Sequence, residues 1–225
     1  SNAKSSASIR VSGPGFSTIP ESASFDVGDN GVAYVLPGDS GSSGPNDFYA
    51  STSVQSVVDD TSPGGTTHVD AGTFPTTGLT IDRNITVAGA GPGQTIITGG
   101  SDVIRLQSTD VTIRDVTITG GDTGIDVPTS TDASGFRLIN AHLVDNGRFG
   151  MYVAGDTIHS GAVDNGAFDD VLLRNVRVEN HTTKGLYIEK LSNATFDGLV
   201  VDGVTDPDGS YNNGIDINLK DGNYT

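Results

Sequence analysis

One short phrase recurs along the chain and restricts what it can fold into. Gly124-Ile125-Asp126-Val127 returns as Gly150-Met151-Tyr152-Val153, as Gly185-Leu186-Tyr187-Ile188 and as Gly214-Ile215-Asp216-Ile217. Each copy reads glycine, apolar, variable, apolar, the pattern of a short strand that buries alternate side chains and turns the middle one outward. The copies lie 26, 35 and 29 residues apart. An interval of a few tens of residues that stretches while the phrase stays constant marks a solenoid whose loops vary and whose strands do not.

Two further apolar strings fill each interval in a fixed order. Phe136-Arg137-Leu138 and Ala141-His142-Leu143 follow the first phrase, and Val171-Leu172-Leu173 and Val176-Arg177-Val178 the second. Ala194-Thr195-Phe196 and Leu199-Val200-Val201 follow the third. Between the two strings, Asp115, Asn140, Asn175 and Gly198 fall at one register. These residue types tolerate a left-handed backbone, so they predict a tight corner stacked from turn to turn. Three short strands per rung with such a corner resembles the right-handed parallel β-helix of the pectate-lyase-like superfamily, over about residues 54–225. The expected class is therefore all-β, a right-handed parallel β-helix solenoid with three short strands per rung and an N-terminal capping helix. The resemblance implies a saccharide groove on the face of the first strand, and it specifies the fold rather than any one activity.

The rest of the chain is read around that repeat. Ser1-Asn2-Ala3 matches the scar of a cleaved purification tag and is set aside. Residues 4–50 show no rung register; Ser8–Ser12 and Gly31–Leu36 read as strands, and the segment is expected to pack on the solenoid or cap it. Val54–Asp60 carries Val54, Val57 and Val58 on one helical face and is stopped by Ser62-Pro63-Gly64-Gly65. A capping helix there would cover an end that otherwise exposes apolar core and unpaired backbone. The β-helix is expected over residues 51–225. It is expected to be truncated at its C-terminal end, because the rung begun at Gly214–Ile217 stops where its second strand is due. Further rungs or domains of the same chain are therefore expected partners.

Composition narrows the partners. Lys and Arg number 12 against 28 Asp and Glu, a formal charge of −16, and only Glu21, Glu179 and Glu189 are Glu. Such a charge argues against nucleic acid or an anionic membrane as partner. No apolar run suggests membrane insertion. Without cysteine there is neither a disulfide framework nor a thiolate metal site. An Asp- and Gly-rich, cysteine-free chain suits a turn-rich extracellular or cell-surface protein.

On the implied groove, alternation places His68, Arg105, Asp126, Tyr152, Tyr187 and Asp216 in one outward column, and Asp70, Gln107, Pro128, Ala154, Glu189 and Asn218 in a second. At a rung spacing of about 4.8 Å these columns match the repeat of a sugar chain, so a polysaccharide is the expected partner. Tyr152, Tyr187, Glu189 and Asn218 are candidate substrate-binding residues, the tyrosines as stacking surfaces; outward Tyr pairs also stabilise β surfaces without any ligand. Long insertions follow Tyr152 (155–167) and precede Asp216 (204–213). In or beside them Asp164, Asp169, Asp170, Asp206 and Asp208 are oxygen ligands suited to Ca²⁺, though no complete calcium-loop signature is present.

Removing a proton beside a uronate carboxyl needs a base and a cation that neutralises the carboxylate. Arg105 with Asp126, or Lys184 with Tyr187 and Glu189, are the candidate catalytic sets, and Asp216 is a further candidate. Hydrolysis needs two carboxylates about 5–9.5 Å apart. Asp169-Asp170 resembles the double Asp of the polygalacturonase branch, but that branch's other motifs are missing, as is the Asp-Pro-His-Asp phrase of alginate epimerases. His159 and His181 have no partner at metal-ligand spacing and read as surface histidines. Two readings result: an extracellular lyase, epimerase or hydrolase acting on a polysaccharide, or a non-catalytic, calcium-stabilised module of a large adhesin-like surface protein.

Overall fold

The computed structural model describes residues 33–35, 49–155, 166–203 and 213–220. Its elements begin with β1 (Ala33–Val35), β2 (Tyr49–Ser51), α1 (Val54–Asp60), β3 (Thr66–Val69), β4 (Gly72–Pro75), β5 (Leu79–Ile81), β6 (Thr86–Ala88), β7 (Thr95–Thr98) and β8 (Asp102–Leu106). They continue with β9 (Thr112–Thr119), β10 (Thr123–Val127), β11 (Arg137–Val144), β12 (Phe149–Val153), β13 (Asp169–Glu179), β14 (Lys184–Ile188), β15 (Ser192–Asp197), β16 (Val200–Asp202) and β17 (Asn213–Ile217). The architecture is a right-handed parallel β-helix. The glycine phrases form a six-stranded sheet in the order β17-β14-β12-β10-β8-β5, parallel throughout. A second sheet, running through β15, β13, β11, β9 and β6, carries the rest of each rung.

In the second sheet β9, β11 and β13 are long strands bent at a corner, where the sequence suggests two separate strands. The bend is the stacked Asp115, Asn140, Asn175 and Gly198, all left-handed, with φ of 59°, 49°, 52° and 65°. Asn140 Nδ2 donates to Asp115 Oδ1 at 2.7 Å, which ties the first two members of the column. Two more columns of the same kind mark the other turns of the rung. Gly99, Gly120, Asp145, Asn180 and Gly203 share one register, and Asp110, Gly135, Asp170 and Asn193 share another. All eight left-handed non-glycine residues among those described are Asp or Asn, and all eight lie in these three columns. The types that tolerate this conformation are thus placed where the chain must turn.

Inside, the apolar residues of each phrase stack on their copies. Ile104, Ile125, Met151 and Leu186 form one fully buried column, and Leu106, Val127, Val153 and Ile188 another. The glycine of the phrase is a packing requirement. A Cβ on Gly124 would lie 2.5 Å from Gly150 O, one on Gly150 2.6 Å from Gly185 O, and one on Gly185 2.6 Å from Gly214 O.

His181 is a correction to the sequence reading, since it is fully buried. It follows the left-handed Asn180, which turns it inward to stack on Asn146 of the preceding rung. Its Nδ1 and Nε2 lie 3.2 Å from Asn146 O and 3.0 Å from Leu143 O. Burial lowers its pKa although both carbonyls oppose that shift. His159 lies outside the described residues.

One end of the solenoid is closed by α1. Ser53 caps the helix by accepting from Ser56 N–H at 3.3 Å, and Val54, Val57 and Val58 are buried. The Gln55 carboxamide donates to Thr80 O at 3.1 Å and accepts from Thr80 N–H at 2.8 Å, standing in for a neighbouring strand beside β5. On the second sheet β1 adds antiparallel to β3, and β2 to β1. The predicted strand at 8–12 lies outside the described residues.

Candidate functional site

Strand register decides which side chains share the first-strand face. The central column is Thr80, Arg105, Asp126, Tyr152, Tyr187 and Asp216. Thr80 therefore replaces His68, which sits on β3 of the other sheet and stacks on Tyr34 at 5.1 Å. Likewise Asp82, not Asp70, precedes Gln107 in the second column, followed by Pro128, Ala154, Glu189 and Asn218. The first groove strand is Leu79–Ile81, which with Gly78 forms a further copy of the phrase. A third column, Asp102, Thr123, Phe149 and Lys184, also belongs to this face. Simple alternation hides it, because the chain kinks at the glycine and the residue before it turns to the groove.

Phe149 completes an aromatic cluster with the two tyrosines. Tyr152 and Tyr187 stack with centroids 5.4 Å apart and planes at 11°, and Phe149 packs on Tyr152 at 5.2 Å and on Tyr187 at 5.9 Å. Arg148 lies over Phe149, 4.9 Å from its centroid, and Lys184 Nζ over Tyr187 at 3.8 Å. The tyrosine faces are thus turned on each other and on Lys184, and the rings offer edges and hydroxyls to the groove. Those hydroxyls meet the second column. Tyr152 OH donates to Glu189 Oε2 at 3.3 Å, and Asn218 Nδ2 donates to Tyr187 OH at 3.3 Å.

Glu189 is a buried hub. Its carboxylate also accepts from Gly155 N–H at 2.9 Å and pairs with Lys220 at 3.3 Å. Burial acts to raise its pKa, but the donors from Tyr187, Gly155 and Lys220 outweigh it and hold the group below the usual carboxylate range. Burial, then the Glu189 charge, pushes the Tyr152 phenol up to about 12. It therefore stays protonated at neutral pH and is a poor base. Lys184 is bonded to Asp216, so those two candidates come together, on β14 and β17, three strands along the sheet from Arg105 on β8.

Arg105 and Asp126 also come together, on the floor of a cleft of about 470 Å³ lined by residues of β8, β10, β12 and β14. Arg105 Nη1 lies 3.5 Å from Asp126 Oδ2 and 3.6 Å from Asp102 Oδ2, so the two carboxylates are within about 7 Å of each other. Asp126 is 9% exposed. Burial, then repulsion from Asp102, raises its pKa to about 6, against the opposing charges of Arg105 and Lys190. Across the cleft Arg148 faces Asp122 at 3.7 Å. Ser101, Asp102, Asp122, Thr123, Arg148 and Phe149 are the cleft residues the sequence reading missed.

The candidate calcium ligands lie elsewhere. Asp169 and Asp170 open β13 in the second sheet. Asp169 accepts from Ser192 Oγ and Asn193 Nδ2, both at 2.8 Å, and these bonds lower its pKa. Asp170 is a left-handed corner residue paired with Arg137. Asp164, Asp206 and Asp208 lie outside the described residues. Among the described residues no group of three or more His, Cys, Asp or Glu is placed to hold a metal ion, and no helix is long and apolar enough to cross a membrane.

No family model matches the chain, and no curated protein matches it. Among solved structures it is similar to an alginate lyase from Paenibacillus sp. str. FPU-7, with a TM-score of 0.55 and 17% identity over 67% of this chain and 56% of that one. It is also similar to ORF18 of Geobacillus virus E2, with a TM-score of 0.47 and 18% identity over 65% of this chain and 31% of that one. The chain thus spans just over half the length of the lyase, and the likeness is one of fold.

Proposed function

We propose that the chain binds a polysaccharide along its first-strand face, in an extracellular or cell-surface setting, and that Asp126 transfers a proton when the bound chain is cleaved. The observation that carries this reading is the cleft itself. A nearly buried carboxyl that keeps its proton to mildly acid pH shares an arginine with a second carboxylate, beside an aromatic wall. Perturbed acids in a cleft are where proton-transfer chemistry is found. The fold likeness to an alginate lyase supports a polysaccharide as ligand.

The local chemistry favours a carboxyl over a phenolate as the proton carrier. Tyr152 is held protonated, and Lys184 is engaged with Asp216. Asp126, when protonated, can donate to the departing glycosidic oxygen while the Asp102 carboxylate takes a proton from the water that adds to the anomeric carbon, and Arg105 or Arg148 steadies a carboxylate or hydroxyl of the sugar. Incubation of the protein with pectate, alginate, chondroitin and neutral glucans, with and without Ca²⁺, tests the reading. The wild type should be retained on one glycan and release new chain ends from it. Asp126→Asn should bind within about threefold of wild type and lose roughly 100-fold or more in turnover. Absence of binding to every glycan removes the reading.

A second reading, a non-catalytic module of a surface protein, draws on the pairing of Arg105 and Arg148 with carboxylates and on the inward-turned tyrosine faces. Glycan retention with no turnover by wild type, and equal retention by Asp126→Asn, selects it.

A further inference from the structure

Lys190, at the end of the β14 rung, is a charged side chain only 1% exposed. Its Nζ donates to three backbone carbonyls, Pro128 O at 3.0 Å, Thr129 O at 2.8 Å and Thr131 O at 2.7 Å. These belong to the turn that follows β10, so the lysine reaches back past the intervening β12 rung. The carbonyls converge because residues 128–131 form a tight turn, closed by Thr131 N–H donating to Pro128 O at 3.1 Å. Backbone oxygens aimed together at one interior point repel each other and cannot be left without a donor.

We propose that this turn is a cation cup of ammonium or potassium size, and that Lys190 is its built-in occupant. The three described acceptors are neutral carbonyls, the kind of ligand that replaces the hydration shell of a weakly hydrated monovalent ion. Their 2.7–3.0 Å separations from the nitrogen exceed the 2.3–2.6 Å that Ca²⁺ requires and the 2.0–2.1 Å of Mg²⁺. A tethered ammonium also spares the loss of translational freedom that a free ion incurs on binding. The turn lies directly after the strand that bears Asp126, and the same charge acts on that carboxyl. The lysine therefore anchors the turn that leaves β10 with a cation that dilution or a chelator cannot remove. This inference stands on the turn's geometry and does not depend on what the cleft binds.

Lys190→Ala removes the ammonium while keeping the turn's own Thr131 N–H to Pro128 O bond. In tetramethylammonium buffer at fixed ionic strength, the variant should melt roughly 10 °C below wild type, the scale of leaving several buried carbonyls without a donor. Potassium, ammonium or methylammonium should restore at least half of that loss along a saturating curve, while wild type stays unmoved. Equal response of variant and wild type to all salts overturns the cup, and rescue by calcium alone overturns its assigned size. Should Lys190→Ala not fold, the wild type still answers. In a ¹⁵N-lysine spectrum the Lys190 ammonium should exchange slowly with water and couple across hydrogen bonds to the carbonyl carbons of 128, 129 and 131. Rapid exchange of that ammonium overturns the proposal.

Discussion

Asp126 shows how far one residue can be taken from pattern to chemistry. Its position on the outward face follows from alternation, and the structure adds burial and the neighbouring Asp102. In the fold it keeps its proton to about 6, against an ordinary value of 3.8. Between those limits the folded state holds more protons than the unfolded one. This group therefore adds stability as pH falls from 7 towards 4 and subtracts from it at neutral pH. Asp126→Asn should be more stable than wild type by about 1–2 kcal/mol at pH 7, with the gain gone by pH 4. Urea unfolding at the two pH values checks it, and equal gains at both would remove Asp126 as a proton holder. Phe149, in contrast, was not legible. Counting alternate residues back from Met151 puts it inside, and only the kink at Gly150 brings it to the groove. Sequence also shows that two tyrosines face outward without showing that each hides a face against the other.

At the scale of the strand, the repeated glycine is a contact between backbones. Gly150→Ala would place a methyl 2.6 Å from Gly185 O, 2.6 Å from Val178 Cγ1 and 2.9 Å from His181 Nε2. The first of these neighbours is backbone and cannot turn away. A loss of roughly 2–4 kcal/mol is expected, since overpacking and strain in a dense core cost this much. Chemical denaturation measures it; a neutral substitution would mean that the rungs are free to separate. The strands were legible because burial alternates along them. One copy of the phrase, Gly78-Leu79-Thr80-Ile81, was missed, and with it the right first members of both columns. The next rung carries Val103 where the others carry glycine, which breaks the series at that point. Of the three left-handed columns one was visible between adjacent apolar strings. The other two lie at loop margins, where variable loop length shifts the spacing.

Across the whole molecule, charge and fold share a cause. Asp and Asn supply all the described non-glycine residues in the left-handed turns, so part of the acidity comes from turn-making. Long-range pairing joins each rung chiefly to its neighbours, and stability in such an array is close to a sum over rungs and their interfaces. Val57→Asp puts an unpaired carboxylate into the buried face of the capping helix. Amide exchange should then quicken in β3, β5 and β6, while β12 and β14 keep most of their protection. A uniform loss of protection would show that the solenoid unfolds as one unit. On β17 Ile215 is 43% and Ile217 46% exposed, whereas Leu186 and Ile188 on β14 are fully covered.

The Gln55 carboxamide that lies against Thr80 as a strand would has a consequence in time. Among the described residues the helix that carries it precedes every groove strand, so it is already made when β5 appears and can dock as that strand forms. Each later rung needs only the next 26 to 35 residues and the rung just laid down. At synthesis rates of roughly 5–20 residues per second, one new template is ready every few seconds. Growth then runs in one direction, like a ratchet, and exposed strand edges are confined at each moment to the newest turn.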